Sequence, residues 1–158
     1  MADMREPGIY GLTPRRVPSG NAEPDITWLM GRRLAAIEKM DWSWFFRLDD
    51  GSVIAPESTW RVVTPQGVVV TSEDHDQQFG LPAPVDAAAV AGKAIGGLTV
   101  TACNLDWRTG DLSLEFGSIS LQFLCLSGGY ESWRITHGTQ DLFCTGGGKI
   151  AEFRPEQK

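Results

Sequence analysis

The residues best suited to acid–base or metal chemistry are the two histidines and the carboxylates beside one of them. Asp74, His75 and Asp76 are consecutive, and His137 is the only other histidine. Carboxylate oxygens and imidazole nitrogens bind divalent metals, and histidine titrates near neutral pH. If the four side chains converged, they could form a metal site or a general-base site. In an extended segment, however, His75 points away from Asp74 and Asp76, so convergence requires a turn.

The same residues also fit an interpretation without chemistry. Residues 72–78 would then be a solvated loop, and His137 a turn residue beside Gly138. Other catalytic patterns are missing, because no serine lies in a Gly-x-Ser-x-Gly elbow and the glycines at 146–148 lack P-loop spacing. We therefore expect no catalytic residue and no cofactor, and we keep the metal site or enzyme as the alternative.

Aromatic and charged residues near two turns are the candidates for protein binding. Tyr130, Glu131 and Arg134 follow a Gly-Gly turn, and Trp107 lies in a segment expected to be a loop. Tyrosine, tryptophan and arginine carry much of the binding energy at protein interfaces. The alternative for the strand at Trp133 is that its tryptophan is buried and its arginine pairs with an acidic neighbour.

Composition and charge narrow the classes of partner. The 158-residue chain has a formal net charge of −6, and its densest basic spots are pairs of arginines. Nucleic acids and anionic membranes attract basic surfaces, so we expect neither as a partner. An acidic surface suits a more basic protein partner. Edge strands in a β-rich chain of this size also allow a homodimer.

The chain shows no targeting signal. No apolar run approaches the ~20 residues that span a bilayer, and the N-terminal residues lack the apolar core of a signal peptide. Cys103, Cys125 and Cys144 are odd in number and widely spaced, which is typical of reduced thiols. We expect a cytoplasmic protein.

Alternation of apolar and polar residues predicts two β-hairpins. In the first, Trp42, Trp44, Phe46 and Leu48 share one face, and an Asp-Gly turn follows at 49–52. The second hairpin turns at Gly117-Ser118. Its apolar face is formed by Leu112, Leu114, Phe116, Ile119, Leu121, Phe123 and Cys125. One face of each hairpin must be buried, because a one-residue slip would expose that whole set.

Helix is scarce in this sequence. We expect a short turn at 25–30 that ends at Gly31, and another at 84–91 with Asp86 at its N-terminal end and Gly92 as its C-cap. Strands are predicted to follow at 32–40 and 93–103.

Similar blocks recur in the two halves of the chain. The segment 25–37 matches 86–98, and the Thr-Trp-Arg-Val of 59–62 matches the Ser-Trp-Arg-Ile of 132–135. We predict an α+β fold of mainly antiparallel sheet, with about eight strands in two related four-strand units and one or two short helices. The domain spans 25–153, with duplicated halves at 25–83 and 84–153. It lies between an irregular arm (1–24) and a tail (154–158).

Several short motifs also give a resemblance to a known group. They are Gly31-Arg32-Arg33-Leu34, Phe46-Arg47-Leu48-Asp49-Asp50-Gly51, Asp74-His75 before Phe79-Gly80, Tyr130-Glu131-Ser132-Trp133 and Gly146-Gly147-Gly148. Over about residues 26–153 the chain resembles small bacterial domains of unknown function, which are similar in style to toxin-immunity proteins. The resemblance implies a non-enzymatic accessory or immunity-type inhibitor and assigns no catalytic residue.

Overall fold

The structure is a computed structural model that describes residues 15–16 and 24–153. Within them are twelve strands, one α-helix and three short 3-10 turns. The strands are β1 (Arg15–Arg16), β2 (Leu34–Met40), β3 (Ser43–Leu48), β4 (Val53–Pro56), β5 (Trp60–Thr64), β6 (Gly67–Thr71), β7 (Ala102–Leu105), β8 (Leu112–Phe116), β9 (Ile119–Phe123), β10 (Trp133–His137), β11 (Gln140–Thr145) and β12 (Lys149–Phe153). The helix is α1 (Ala87–Ile95), and the 3-10 turns are Thr27–Leu29, Ser72–Asp74 and Gly146–Gly148.

The strands form two antiparallel sheets. One sheet has seven strands in the order β1-β12-β11-β10-β4-β3-β2, and the other has five in the order β6-β5-β9-β8-β7. Helix α1 packs against β2 of the first sheet and β6 of the second. Asp86 begins this helix by accepting a hydrogen bond from the Ala89 N–H at 3.1 Å.

Aromatic side chains join the two sheets. The Phe46 ring of the seven-stranded sheet meets Trp60 and Phe123 of the five-stranded sheet edge-on, each at 5.1 Å between ring centroids. Trp44 meets Trp60 in the same way at 5.0 Å. Edge-to-face aromatic pairs are favourable beyond the area they bury. Alternate residues of β3 therefore point into the core, and the others point to the opposite face of the sheet.

Each half of the chain contributes strands to both sheets. The first half forms the meander β2-β3-β4 in the seven-stranded sheet and then the hairpin β5-β6 in the other. The second half forms β7-β8-β9 in the five-stranded sheet and then places β10-β11 in the first. As a result β4 pairs with β10, and β9 pairs with β5. Each half completes the sheet that the other half begins.

The prediction of a mainly antiparallel fold with little helix is confirmed, but the predicted number of strands is wrong. Eleven strands have four or more residues, so the count exceeds eight. Short strands that reverse at tight turns, such as β5 and β6, are hard to count from alternation alone. Duplication of the two halves remains a prediction.

Both hairpins occur where they were predicted. In the second, Leu114 pairs with Leu121, and Phe116 pairs with Ile119 across the Gly117-Ser118 turn. The first hairpin has one error, because Trp42 is 95% exposed instead of sharing the buried face. The chain reverses at Asp41, whose φ of 53° is left-handed, so Trp42 belongs to the β2–β3 turn.

The segment after Pro84 also differs from its prediction. Helix α1 continues through Gly92 to Ile95 and is capped by Gly96, so neither the C-cap at Gly92 nor a strand starting at residue 93 is correct. Buried Ala87, Ala91 and Ile95 lie at helical spacing and hold the helix on the core. The predicted repeat matches 25–37 with 86–98. Residues 34–37 lie in strand β2, whereas the matching residue 95 lies in helix α1, so this pair of segments differs in secondary structure.

Most of the predicted N-terminal arm and the whole tail at 154–158 lie outside the described residues. Within the arm, Arg15–Arg16 forms β1, which pairs with β12 at the edge of the seven-stranded sheet.

Trp60 and Trp133 are both fully buried, but only one indole N–H is satisfied. Trp133 donates to the Gly110 carbonyl at 2.8 Å, whereas the Trp60 indole nitrogen has no hydrogen-bond partner among the described residues. Gly110 has a φ of 80°, and a Cβ there would lie 2.4 Å from Cys144 Sγ. A side chain at Gly110 would therefore collide with Cys144 and with the Gly148 backbone.

This difference predicts unequal effects of the same substitution. Trp133→Phe leaves a buried carbonyl without its donor, whereas Trp60→Phe removes a donor that has no partner. Trp133→Phe should therefore lower the free energy of unfolding by about 1–2 kcal/mol more than Trp60→Phe. Urea unfolding of both variants measures the difference, and equal losses would contradict the assignment.

Candidate binding groove

A groove crosses the outer face of the seven-stranded sheet, on the side away from the core. Its volume is about 410 Å³. The lining residues come from β3, β4, β10 and the loops beside them: Ser43, Trp44, Phe45, Arg47, Val53, Ala55, Glu57, Glu131, Arg134 and Thr136. Two of the predicted interface residues, Glu131 and Arg134, therefore lie in one concave site.

The floor of the groove is formed by the small residues of β4. Val53 pairs with Arg47 on one side and Thr136 on the other, and Ala55 pairs with Arg134. Paired residues of neighbouring strands project from the same face of a sheet. The short side chains of Val53 and Ala55 therefore lie between two rows of longer ones.

Both arginines in the walls are held by neighbours on the sheet. Arg47 donates to Glu38 at 2.9 Å, and its guanidinium lies 5.7 Å from the Phe45 ring centroid. The Arg134 guanidinium lies 4.6 Å from the Phe143 ring centroid. Such cation–π contacts restrain a long side chain, so the walls are ordered before any partner binds.

Two carboxylates lie at one end of the groove. The Glu57 backbone N–H donates to the Ser132 carbonyl at 2.9 Å, which brings the loop after β4 beside Glu131. Glu131 is 3.8 Å from Arg134. Burial raises the pKa of Glu131; Arg134 opposes this, and Glu57 and Asp141 add to it. Glu131 is therefore influenced by two carboxylates, Glu57 and Asp141, against one guanidinium, Arg134.

Exposed aromatic residues lie beside the same end of the groove. Met40 pairs with Ser43, so the β2–β3 turn that carries Trp42 adjoins the groove. The Lys39 ammonium lies 5.9 Å from the Trp42 ring centroid and 5.8 Å from that of Trp44. Tyr130 precedes Glu131 and is 81% exposed. We call Trp42 and Tyr130, with Glu57 and Glu131, the groove mouth.

Trp107 lies apart from this site. As predicted, it is in a turn, after β7, and it is 40% exposed. It lines a second groove of about 380 Å³, between β7 and the 3-10 turn that begins at Thr27. The four predicted interface residues are thus divided between two surfaces.

His75 supports the start of α1. Its Nδ1 accepts a hydrogen bond from the Ala87 N–H at 3.1 Å, and its ring meets the Trp44 ring edge-on at 5.1 Å. Asp74 accepts a hydrogen bond from the Thr71 N–H at 2.8 Å and closes a capping box. Asp76 lies 3.5 Å from His75 Nε2. All three residues stabilise the loop and helix locally.

His137 belongs to a different cluster. Its ring stacks on Trp28 at 3.8 Å between centroids, and its Nδ1 lies 2.8 Å from Ser52 Oγ and 3.6 Å from Asp50. A Ser-His-Asp triad uses opposite ring nitrogens for serine and aspartate. Here both lie at Nδ1, and Ser52 is 1% exposed. The cluster therefore lacks the geometry of an accessible serine nucleophile.

The convergence that a metal site requires does not occur in the part of the chain described. His75 contacts Trp44 near the start of β3, whereas His137 contacts Asp50 beyond the end of that strand. Within residues 24–153, no group of three or more His, Cys, Asp or Glu side chains could hold a metal ion. Asp74, His75, Asp76 and His137 do not form one site.

Comparisons with known proteins add no family assignment: no family model, curated protein or solved structure matches the chain. The resemblance to bacterial domains of unknown function therefore remains a prediction. Among the described residues, no helix is long and apolar enough to cross a membrane.

A structural role for His75 predicts a specific pattern of stability. His75→Ala leaves the Ala87 N–H without its acceptor and should lower the free energy of unfolding by about 1 kcal/mol. His75→Asn places an amide oxygen near the position of Nδ1 and should recover most of that loss. Urea unfolding tests both variants, and an unchanged stability of His75→Ala would contradict the role.

The lowered pKa of Asp50 predicts that the folded protein loses stability in acid. Burial pushes its pKa upward, but hydrogen bonds from Ser52 and the charges of Arg32 and His137 outweigh this, so the pKa lies below its ordinary value. A lowered pKa gives stability that is present above the unfolded-state value of about 3.9 and is lost as the pH falls through the folded-state value.

Asp50→Asn should therefore be less stable than the unsubstituted protein at pH 6, and the difference should shrink below about pH 3.9. Urea unfolding at a series of pH values measures it. A difference that stays constant into acid would show that the carboxylate charge is not responsible.

Proposed function

We propose that this protein is a non-enzymatic interaction domain that binds a more basic protein through the groove mouth. The observation that carries the proposal is Trp42, a tryptophan that is 95% exposed beside a preformed groove. Large aromatic residues at the centre of an interface often account for most of its binding energy. A partner that covered Trp42 would remove its ring from water.

The backbone also supports a role for the β2–β3 turn. Asp41 holds a left-handed φ of 53°, which is unfavourable for most residues other than glycine. Lys39 donates a hydrogen bond to the Asp41 carbonyl, and its ammonium lies against the Trp42 ring. The turn thus holds Trp42 in a defined outward position, which lowers the entropy lost on binding.

Charge favours a basic partner. The chain carries 20 acidic and 14 basic residues, and Glu57 and Glu131 lie at the groove mouth. Opposite potentials speed encounter and select against acidic proteins. An immunity-type inhibitor of a basic bacterial toxin is one domain of this kind. The three free cysteines are consistent with a cytoplasmic site of action.

The experiment identifies the partner and then tests the surface. A photoreactive amino acid at position 43, next to an intact Trp42, cross-links neighbours in lysate of the source cell, and the same amino acid at position 108, next to Trp107, is the control; both positions are exposed. Binding of the captured protein is then measured by calorimetry. Trp42→Ala should weaken binding about 30-fold or more, the effect of losing a hot-spot side chain.

The matched control is Trp107→Ala, which removes an exposed tryptophan from the second groove. It should change the affinity less than about threefold, within the usual effect of residues outside a hot spot. Full binding by Trp42→Ala, or loss of binding only in Trp107→Ala, would contradict the proposed surface. Failure to cross-link any protein at position 43, where Trp42 is intact, would contradict the proposed function.

A further inference from the structure

We propose that the groove receives an arginine side chain of the partner. Its guanidinium would lie between the carboxylates of Glu57 and Glu131, and its methylene groups would lie over Val53 and Ala55. This inference rests on the proposed function and names the chemistry that the groove recognises.

The shape of the groove fits a long, thin side chain. The small residues Val53 and Ala55 form an apolar floor between the rows of Arg47 and Arg134. Long basic side chains bury their methylene stems on apolar surface and keep the charged group at a polar end. Here the polar end is the pair of carboxylates at Glu57 and Glu131.

The two carboxylates differ in how far they are already paired: Glu131 has a long ion pair with Arg134, and Glu57 has none among the described residues. Arg47 is engaged by Glu38 at 2.9 Å, at the opposite end of the groove from Glu57. Arg134 lies over Phe143 and forms an ion pair with Glu131 at 3.8 Å. Within residues 24–153, Glu57 has no ion-pair partner. An incoming cation would therefore bind the unpaired Glu57 and share Glu131 with Arg134, without breaking the Arg47–Glu38 pair.

The ionisation of Glu131 agrees with this account. Burial raises its pKa, and Glu57 and Asp141 add to the rise against the opposing Arg134. A carboxylate in this condition is stabilised by a second positive charge. A bound guanidinium should therefore lower the pKa of Glu131.

Guanidinium fits this site better than ammonium does. A guanidinium has five donors in a planar fork and can bind two carboxylates at once, and it is more weakly hydrated than an ammonium. We therefore expect arginine to bind in preference to lysine.

The test uses the full chain and a blocked Gly-Arg-Gly peptide as probe, with Gly-Lys-Gly and Gly-citrulline-Gly peptides for comparison. Citrulline matches arginine in shape but carries no charge. Each peptide is titrated to about 50 mM, where a site with a Kd of about 10 mM is mostly occupied. Carbon NMR follows the carboxyl signals of Glu57 and Glu131 and the methyl signals of Val53 and Ala55.

The arginine peptide should give saturable shifts at all four residues and lower the pKa of Glu131, and the citrulline peptide should not. Glu57→Gln combined with Glu131→Gln should abolish the shifts at Val53 and Ala55. The control is Glu73→Gln, an exposed carboxylate whose hydrogen bond from Thr59 an amide can still accept. This control should bind as the unsubstituted protein does.

Equal shifts from the arginine and citrulline peptides, or shifts that persist in the double variant, would overturn the inference. Absence of shifts with any peptide would also overturn it. The proposed function fails separately, because it depends on Trp42 and the captured partner. A Trp42-dependent partner without an arginine effect would leave that function standing and remove only this inference.

Discussion

The packing of Phe46 between Trp60 and Phe123 is the contact on which the rest of the structure depends. It joins the two sheets and fixes which residues of β3 face the core. Because side chains alternate along a strand, burying Trp44, Phe46 and Leu48 places Phe45 and Arg47 on the outer face. A slip of one residue would bury Arg47 and remove one wall of the groove.

The exchange of strands between the halves determines where the groove lies. Strand β4 belongs to the first half and β10 to the second, and they pair in the seven-stranded sheet. The groove floor comes from β4, and the wall that contains Arg134 comes from β10. Neither half could form the site alone. The candidate site is thus a product of the long-range pairing that also completes both sheets.

Local patterns predicted the hairpins, because apolar alternation and an Asp-Gly or Gly-Ser turn act over a few residues. They could not predict the position of Trp42, since apolar alternation continues through residue 42 while the backbone has already turned at Asp41. The strand expected at 93–103 was wrong in its first part because Ala91 and Ile95 pack at helical spacing against distant strands.

The candidate site shows the same limit. Residue type alone identified Tyr130, Glu131 and Arg134 as candidates for protein binding. The other side of the groove comes from residues 43–57, which are distant in the chain. His75 and His137 were plausible partners by residue type alone. In the structure one supports a helix and the other stacks on Trp28, because each is positioned by its own strand or loop.

Hydroxyl-radical footprinting of the unsubstituted protein, with and without the partner that cross-linking identifies, tests the central claim most directly. It reports solvent access at single aromatic side chains, and Trp42, Tyr130 and Trp107 are all exposed in the free protein. The account predicts that the partner protects Trp42 and Tyr130 from oxidation and leaves Trp107 as reactive as before. Protection of Trp107 with unchanged oxidation of Trp42 would contradict it.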